Sequence, residues 1–184
     1  IGLTGTVSTT YNDPFNTARK FASLDWISGG RAAWNLVTSA QIAEAGNFGR
    51  DSLDPHSVRY ARAQEFANVV KGLWDCWDDD AFVMDTQSGL YFTPEKMHRL
   101  NHVGQYYKVR GPLNVARPPQ GHCVIVQAGA SEEGKETAAM HAEAIFSPHL
   151  NVEAAKAYYD DVKGRMKKYG RGPDHLKILP GLSV

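Results

Sequence analysis

Five short apolar segments recur along this chain, and capped, helix-like segments separate them. The apolar segments are residues 1–8, 31–38, 122–128, 143–147 and 176–180, and they read as continuous rather than alternating runs. Strands of that kind are buried on both faces, as in a parallel sheet with helices outside it. The crossovers joining parallel strands must be right-handed. A closed β/α barrel and a doubly wound open sheet both satisfy the pattern, and five strands alone cannot close an eight-stranded barrel. Both architectures carry function at the C-terminal ends of their strands. That rule selects residues 6–10, 35–39, 127–131, 147–148 and 180–181 as the rim of a site.

The helices announce themselves by their ends. Asp13-Pro14 and Asp54-Pro55 each offer a capping carboxylate followed by a proline suited to the first helical position. Gly29-Gly30 closes the first helix after Trp26 and Ile27. The second, 56–77, carries Val58, Ala61, Phe66, Val69, Val70, Leu73 and Trp74 at helical spacing. Two more are expected over 132–142 and, capped by Asn151, from there to Tyr169, with Val152, Ala155, Tyr159, Val162 and Met166 on one side. Residues 39–50 read as a long polar loop. Residues 78–121 break the rhythm and read as an insertion before the third of these strands, with 104–111 alternating like an exposed strand of a hairpin.

Bulk composition excludes several classes. Twenty basic residues balance twenty acidic ones, so nothing favours nucleic acid or an anionic membrane as partner. No apolar run approaches the length of a membrane span. The two cysteines, Cys76 and Cys123, form no paired motif and suit a reducing, cytoplasmic compartment. The seven histidines show no metal-binding spacing, so no metal site is expected. Both ends of the sequence are strand-like and no initiator Met is present, which suggests an internal piece of a longer protein.

Against this background the 111–131 stretch stands out. A Pro- and Gly-broken approach enters an apolar strand, which ends in Gln127-Ala128-Gly129-Ala130-Ser131 directly before a helix. Free amides and the helix dipole make such a turn an anion site, although Ser131 would serve equally as a plain N-cap. Thr6, Ser8, Thr9 and Thr10 bring hydroxyls to the rim, as ligand contacts or turn formers. Asn35 and Thr38 interrupt an apolar strand, where a buried amide needs partners. His56 and Tyr60, four apart, share a helix face and can jointly meet a phosphate or a ring. Arg110 and Arg117 in the 78–121 segment are candidate carboxylate contacts. No G-x-S-x-G, P-loop or G-x-G-x-x-G occurs, so an enzyme on this frame would lean on a cofactor.

Several long segments together carry a family likeness: PFNTARKFASLDWISGGRAAWNLVTS at 14–39, NFGR at 47–50, HSVRYARAQEF at 56–66, GLWDCWDDDAF at 72–82, GPLNVARPPQGHCVIVQAGASEEGKETAA at 111–139, and AEAIFSP at 142–148. In these the chain resembles the flavin-dependent monooxygenases of the bacterial-luciferase-like superfamily. The branch is the nitrilotriacetate monooxygenase component A type, with EDTA, dibenzothiophene-sulfone and long-chain-alkane monooxygenases.

The resemblance implies a TIM-type (β/α)8 barrel. This chain would be the central part of one barrel domain, roughly its third to seventh strands, without the strands that close it or the family's early acidic flavin contact. It implies a two-component enzyme that uses FMNH2 and O2 to oxygenate a small organic substrate. An aminopolycarboxylate such as nitrilotriacetate or EDTA is the first expectation; a sulfone, sulfonate or alkane is the alternative. A non-catalytic flavin-binding or scaffold relative is the alternative of another class. The implied partners are a separate NADH:flavin reductase and further copies of the chain in a dimer or tetramer. The implied flavin residues are Thr6, Ser8, Asn35, Thr38, His56, Tyr60, Ala130 and Ser131, with His56 the one candidate for a catalytic role.

Overall fold

The computed structural model describes residues 1–149 and 151–181. Along the chain run β1 (Leu3–Ser8), α1 (Pro14–Ser28), β2 (Ala32–Val37), α2 (Ile42–Gly46), α3 (His56–Trp74), β3 (His102–Val103), β4 (Lys108–Val109), β5 (Val124–Gln127), α4 (Glu132–His141), β6 (Ala144–Ser147), α5 (Val152–Met166) and β7 (Lys177–Pro180). Five of the strands form one sheet in the order β1-β2-β5-β6-β7, every neighbouring pair parallel. Of the strand-like end of the sequence, residues 177–180 form β7, and 182–184 lie outside the described residues.

Helices cover one face of this sheet. Trp34 and Leu36 of β2, Ile125 of β5 with Cys123 just before it, and Phe66, Val70 and Trp74 of α3 make the main core, joined by Ala18 and Phe21 of α1. A second cluster joins Ile145 of β6 to Ala138 of α4 and to Tyr158, Val162 and Met166 of α5. The alternate strand residues point the other way. Thr4 and Thr6 are exposed, Asn35 is half-buried, and Phe146 and Leu179 are 54% and 56% exposed. An arc of parallel strands with helices only outside it has the form of part of a β/α barrel, its inner face presented by Thr6, Asn35 and Phe146.

Most element boundaries follow local chemistry. The Asp13 carboxylate accepts from the Phe15 and Asn16 amides, Pro14 opens α1, and Gly29 closes it in the left-handed region at φ 65°. Asn151 Oδ1 accepts from the Ala154 amide at 2.8 Å and caps α5. Five expectations need correction. Asp54 does not cap α3: Pro55 holds the cap position, while the Asp54 carboxylate takes an Arg50 N–H and its carbonyl an Arg59 N–H. The 39–50 stretch is not all loop, because Ala43, Glu44 and Ala45 favour one helical turn and more, giving α2. Helix α3 stops at Trp74, and Trp77 instead bridges to Met97. In α5 the buried tyrosine is Tyr158, with Tyr159 and Val152 46% and 77% exposed. Trp26 and Ile27 at the end of α1 lie outside the core, 53% and 84% exposed.

Residues 78–121 lie along α3 and beyond its C-terminal end. A hairpin does exist, β3 paired antiparallel with β4, but 104–107, expected as part of an exposed strand, form its turn and only 108–109 of that range are strand. Glu65 of α3 fastens it, accepting from His102 Nε2 at 2.9 Å and from the Tyr106 and Tyr107 amides at 3.0 and 2.9 Å. Further on, Gln120 binds the buried Asp25 carboxylate through its amide (3.0 Å) and side chain (2.6 Å). Arg117 is paired with Asp75 and Asp79.

Candidate functional site

The C-terminal ends of β1, β2 and β5 build a polar rim, and the sequence around each strand end explains why. Asn35 sits opposite Thr6 in the β1–β2 register, and its amide donates to Thr6 Oγ1 at 3.0 Å. Two residues on, the Ser8 and Ser39 hydroxyls meet at 2.6 Å, and Ser39 Oγ donates to Glu44 Oε1 at 2.9 Å. Thr10 Oγ1 donates to the Thr38 carbonyl at 2.7 Å. These hydroxyls tie the two strand ends together without any charged group in the strands.

Beside them opens a cavity of about 260 Å³ lined by residues 36–40, Tyr60 and residues 127–129. Helix α3 starts at this end, which brings Tyr60 into the wall and sets the His56 ring beside it at a 45° tilt, ring centroids 4.7 Å apart. Helix α4 begins at the same place. Ser131 Oγ accepts the Gly134 amide at 3.1 Å and so caps the helix. The Gly129 amide donates to Gln127 Oε1 at 2.6 Å. Among the described residues, the amides of Ala130, Ser131, Glu132 and Glu133 have no protein acceptor. A cluster of unpaired N–H groups at a helix start attracts an anion.

Two glycines make this turn tight. A Cβ on Gly129 would lie 2.9 Å from the Gly134 Cα, and a Cβ on Gly134 would lie 2.9 Å from the Gly129 Cα. The strand end therefore rests directly on the first turn of α4. Tyr158 braces it from α5, its hydroxyl donating to the Gly129 carbonyl at 3.0 Å, and burial raises that phenol above its usual range.

The acids of this first turn are already engaged. Glu132 pairs with Lys135 at 2.5 Å and with Arg165, and those hydrogen bonds hold its carboxyl below the usual range. Asp161 is held at about 2, first by Arg165 and then by Lys135, with burial opposing. Glu133 Oε2 lies 3.4 Å from His56 Nδ1. Each of these carboxylates thus has a basic partner, Lys135 or Arg165 for Glu132 and His56 for Glu133.

The structure puts Thr38 and Tyr60 in the cavity wall, His56 beside Tyr60, and Ala130 and Ser131 directly after the lining residue Gly129, and it sets Thr6, Asn35 and Ser8 on the adjoining strands. Arg117 does not belong there: its Asp75 partner is the C-cap of α3, the far end of the helix from His56. Arg110 lies at that far end too, since the Gly111 backbone next to it approaches Cys76 Sγ. Tyr158 is a site residue that sequence reasoning missed, while Gln127 and Gly129 lay on the expected rim without an assigned role. The spacing Tyr158, Val162, Met166 was a readable signal for the tyrosine; the glycine contact had none.

With this geometry, comparison with known proteins is specific. Residues 1–184 match the luciferase-like monooxygenase family, and the chain belongs to it. Its sheet and helices are accordingly part of a TIM-type barrel. The chain is 58% identical over 184 residues to nitrilotriacetate monooxygenase component A of Aminobacter aminovorans, covering 100% of this chain and 41% of that protein. It is 51% identical over 182 residues to N-acetyl-S-(2-succino)cysteine monooxygenase of Bacillus subtilis (strain 168), covering 99% and 41%. A solved riboflavin lyase with modified FMN and riboflavin superimposes with a TM-score of 0.92 at 35% identity, over 98% of this chain and 40% of that one. The chain spans about two fifths of the length of these relatives. No described helix is long and apolar enough to cross a membrane.

Proposed function

We propose that this chain forms the flavin-phosphate side of a two-component monooxygenase that uses FMNH2 and O2 on a small organic acid. The observation that carries the reading is the cluster of unpaired amides at the start of α4, Ser131 among them, with Tyr60 in the wall of the adjoining cavity and His56 beside it. A phosphate suits that cluster because the N–H groups are donors, the helix dipole favours an anion, and the glycine pair lets backbone approach closely. In this reading the FMN phosphate is received by the Ala130 and Ser131 amides and by the Ser131 hydroxyl, whose oxygen accepts from Gly134 while its hydrogen stays free to donate. Tyr60 closes the side of the cavity, and His56 packs beside it with Nδ1 facing Glu133. Thr38, Asn35, Thr6 and Ser8 line the path of the isoalloxazine along the strand ends. When bound, reduced FMN supplies the electrons that activate O2; the apolar walls from Leu36 and Val37 limit water around it. A separate NADH:flavin reductase delivers the reduced flavin, and the assembled enzyme is a homo-oligomer.

An aminopolycarboxylate or related polycarboxylate is the proposed substrate class. Two relatives above 50% identity carry the names of such compounds.

The test is anaerobic titration of the full-length protein with FMNH2 and with reduced riboflavin, which lacks the phosphate. Ser131→Ala and His56→Ala are each expected to weaken FMNH2 binding by about 1.5–3 kcal/mol and to leave reduced riboflavin little affected. Unchanged FMNH2 affinity in both variants removes the assignment. With reductase, NADH and O2 present, nitrilotriacetate should be consumed; peroxide release alone overturns the oxygenase reading for that substrate.

A further inference from the structure

We propose that Arg50, presented on the Tyr11–Phe48 stack, holds a carboxylate of the substrate at the rim. The proposal rests on the flavin reading and deepens it by naming the recognition element for a polyanionic acid. Tyr11 follows β1 directly. Its turn is pinned over the ends of β1 and β2, because the Thr9 amide donates to the Val37 carbonyl (2.9 Å) and Thr10 Oγ1 to the Thr38 carbonyl (2.7 Å). Thr38 and Ser39 line the cavity, so Tyr11 stands at its edge. Phe48, from the loop after α2, lies parallel to the Tyr11 ring with centroids 4.3 Å apart and planes 2° apart. The Arg50 guanidinium carbon sits 5.7 Å from the Tyr11 ring centroid.

A guanidinium resting on an aromatic plane is held in place while its N–H edge stays available for a bidentate partner. Arg50 has one acceptor, Asp54 Oδ2, reached through Nη1 alone at 3.4 Å. Among the described residues its Nε and Nη2 have none, and the side chain is 39% exposed. Two more donors nearby are incomplete. The Tyr11 hydroxyl is buried without a hydrogen-bond partner. So is Nε of Arg59, whose Nη1 donates to the Asp54 carbonyl at 2.6 Å. Arg50 therefore shares the Asp54 carboxylate with no other guanidinium, since Arg59 reaches only the Asp54 carbonyl, and Asp51 beside them is exposed and pairs with neither arginine. Buried donors without acceptors cost free energy until an acceptor arrives. A carboxylate supplies two oxygens in the fork geometry of arginine, whereas an alkane leaves every donor unsatisfied.

The experiment uses the full-length protein and three ligands: nitrilotriacetate, its uncharged trimethyl ester, and FMNH2. Calorimetric titration of nitrilotriacetate is expected to show affinity lowered about 10- to 100-fold in Arg50→Met, which keeps the volume over Tyr11. Arg50→Lys should restore part of it. The steady-state KM for nitrilotriacetate should rise with the calorimetric constant while kcat changes little. Binding of FMNH2 and of the ester should be unchanged. Equal nitrilotriacetate affinity in wild type and Arg50→Met overturns the proposal. A parallel loss of FMNH2 affinity also overturns it, by assigning Arg50 to the flavin site. Failure of the wild-type protein to bind FMNH2 sinks the flavin reading instead, and the calorimetric arm separates the two.

Discussion

At the scale of single residues, the least replaceable atoms of the site are hydrogens. Gly129 and Gly134 meet with no room for a side chain, and the turn between them exposes the amides of 130–133. Gly129→Ala must push the strand end away from α4, since besides the Gln127 side chain, which can move, the Gly134 backbone blocks the new Cβ at 2.9 Å. The expected result is a folded protein with FMNH2 affinity down about 10-fold or more and stability lower by about 1–3 kcal/mol, read by anaerobic titration and urea unfolding. Tyr158 supports the same turn at a distance, and its loss should weaken the site less than the glycine substitution.

At the scale of elements, what could be read in the sequence was whatever is decided locally. Asp13 caps α1 because nothing else competes for its carboxylate. Asp54 has the same neighbour, Pro55, yet Arg50 and Arg59 draw it away, and only the fold brings those groups together. Helix α2 spans five residues, too few for periodicity to register. Tyr158 and Tyr159 differ by about 100° around α5, so choosing the buried one requires knowing where Gly129 lies. The five strands and the rim were legible because apolar runs and strand ends follow from burial alone. The Tyr11, Phe48 and Arg50 grouping was not, because it joins two loops that follow different strands. The β3–β4 hairpin gives an element-scale prediction. Glu65→Ala leaves the Tyr106 and Tyr107 amides without their acceptor. Hydrogen exchange should lose protection at 102–109 while the five-stranded sheet keeps its own, with a stability cost of about 1–3 kcal/mol.

At the scale of the whole molecule, buried charge shapes the response to acid. His141 is 3% exposed near the end of α4, and its Nε2 has no partner. Burial, then the nearby Lys71 and Arg171, push its pKa down from 6.5 to about 3. The unfolded chain therefore takes up a proton at a pH where the folded one refuses it. Stability from this residue is complete above pH 6.5 and falls steadily as pH drops toward 3. His141→Phe in the full-length protein should flatten that slope, measured as the urea midpoint at intervals between pH 7 and 3.5. An unchanged slope would place the acid sensitivity in other groups.

The clasp formed by residues 78–121 along α3 and at its far end has an evolutionary consequence. Gln120 on Asp25, Arg117 on Asp75 and the hairpin on Glu65 secure the scaffold along the flank and far end of α3, leaving the 39–55 loop over the mouth outside that network. On the proposed role of Arg50, mutations in that segment would retune which molecules are accepted without disturbing those contacts. A lineage built this way can diversify its chemistry quickly, because innovation and durability are inherited through different parts of the polypeptide.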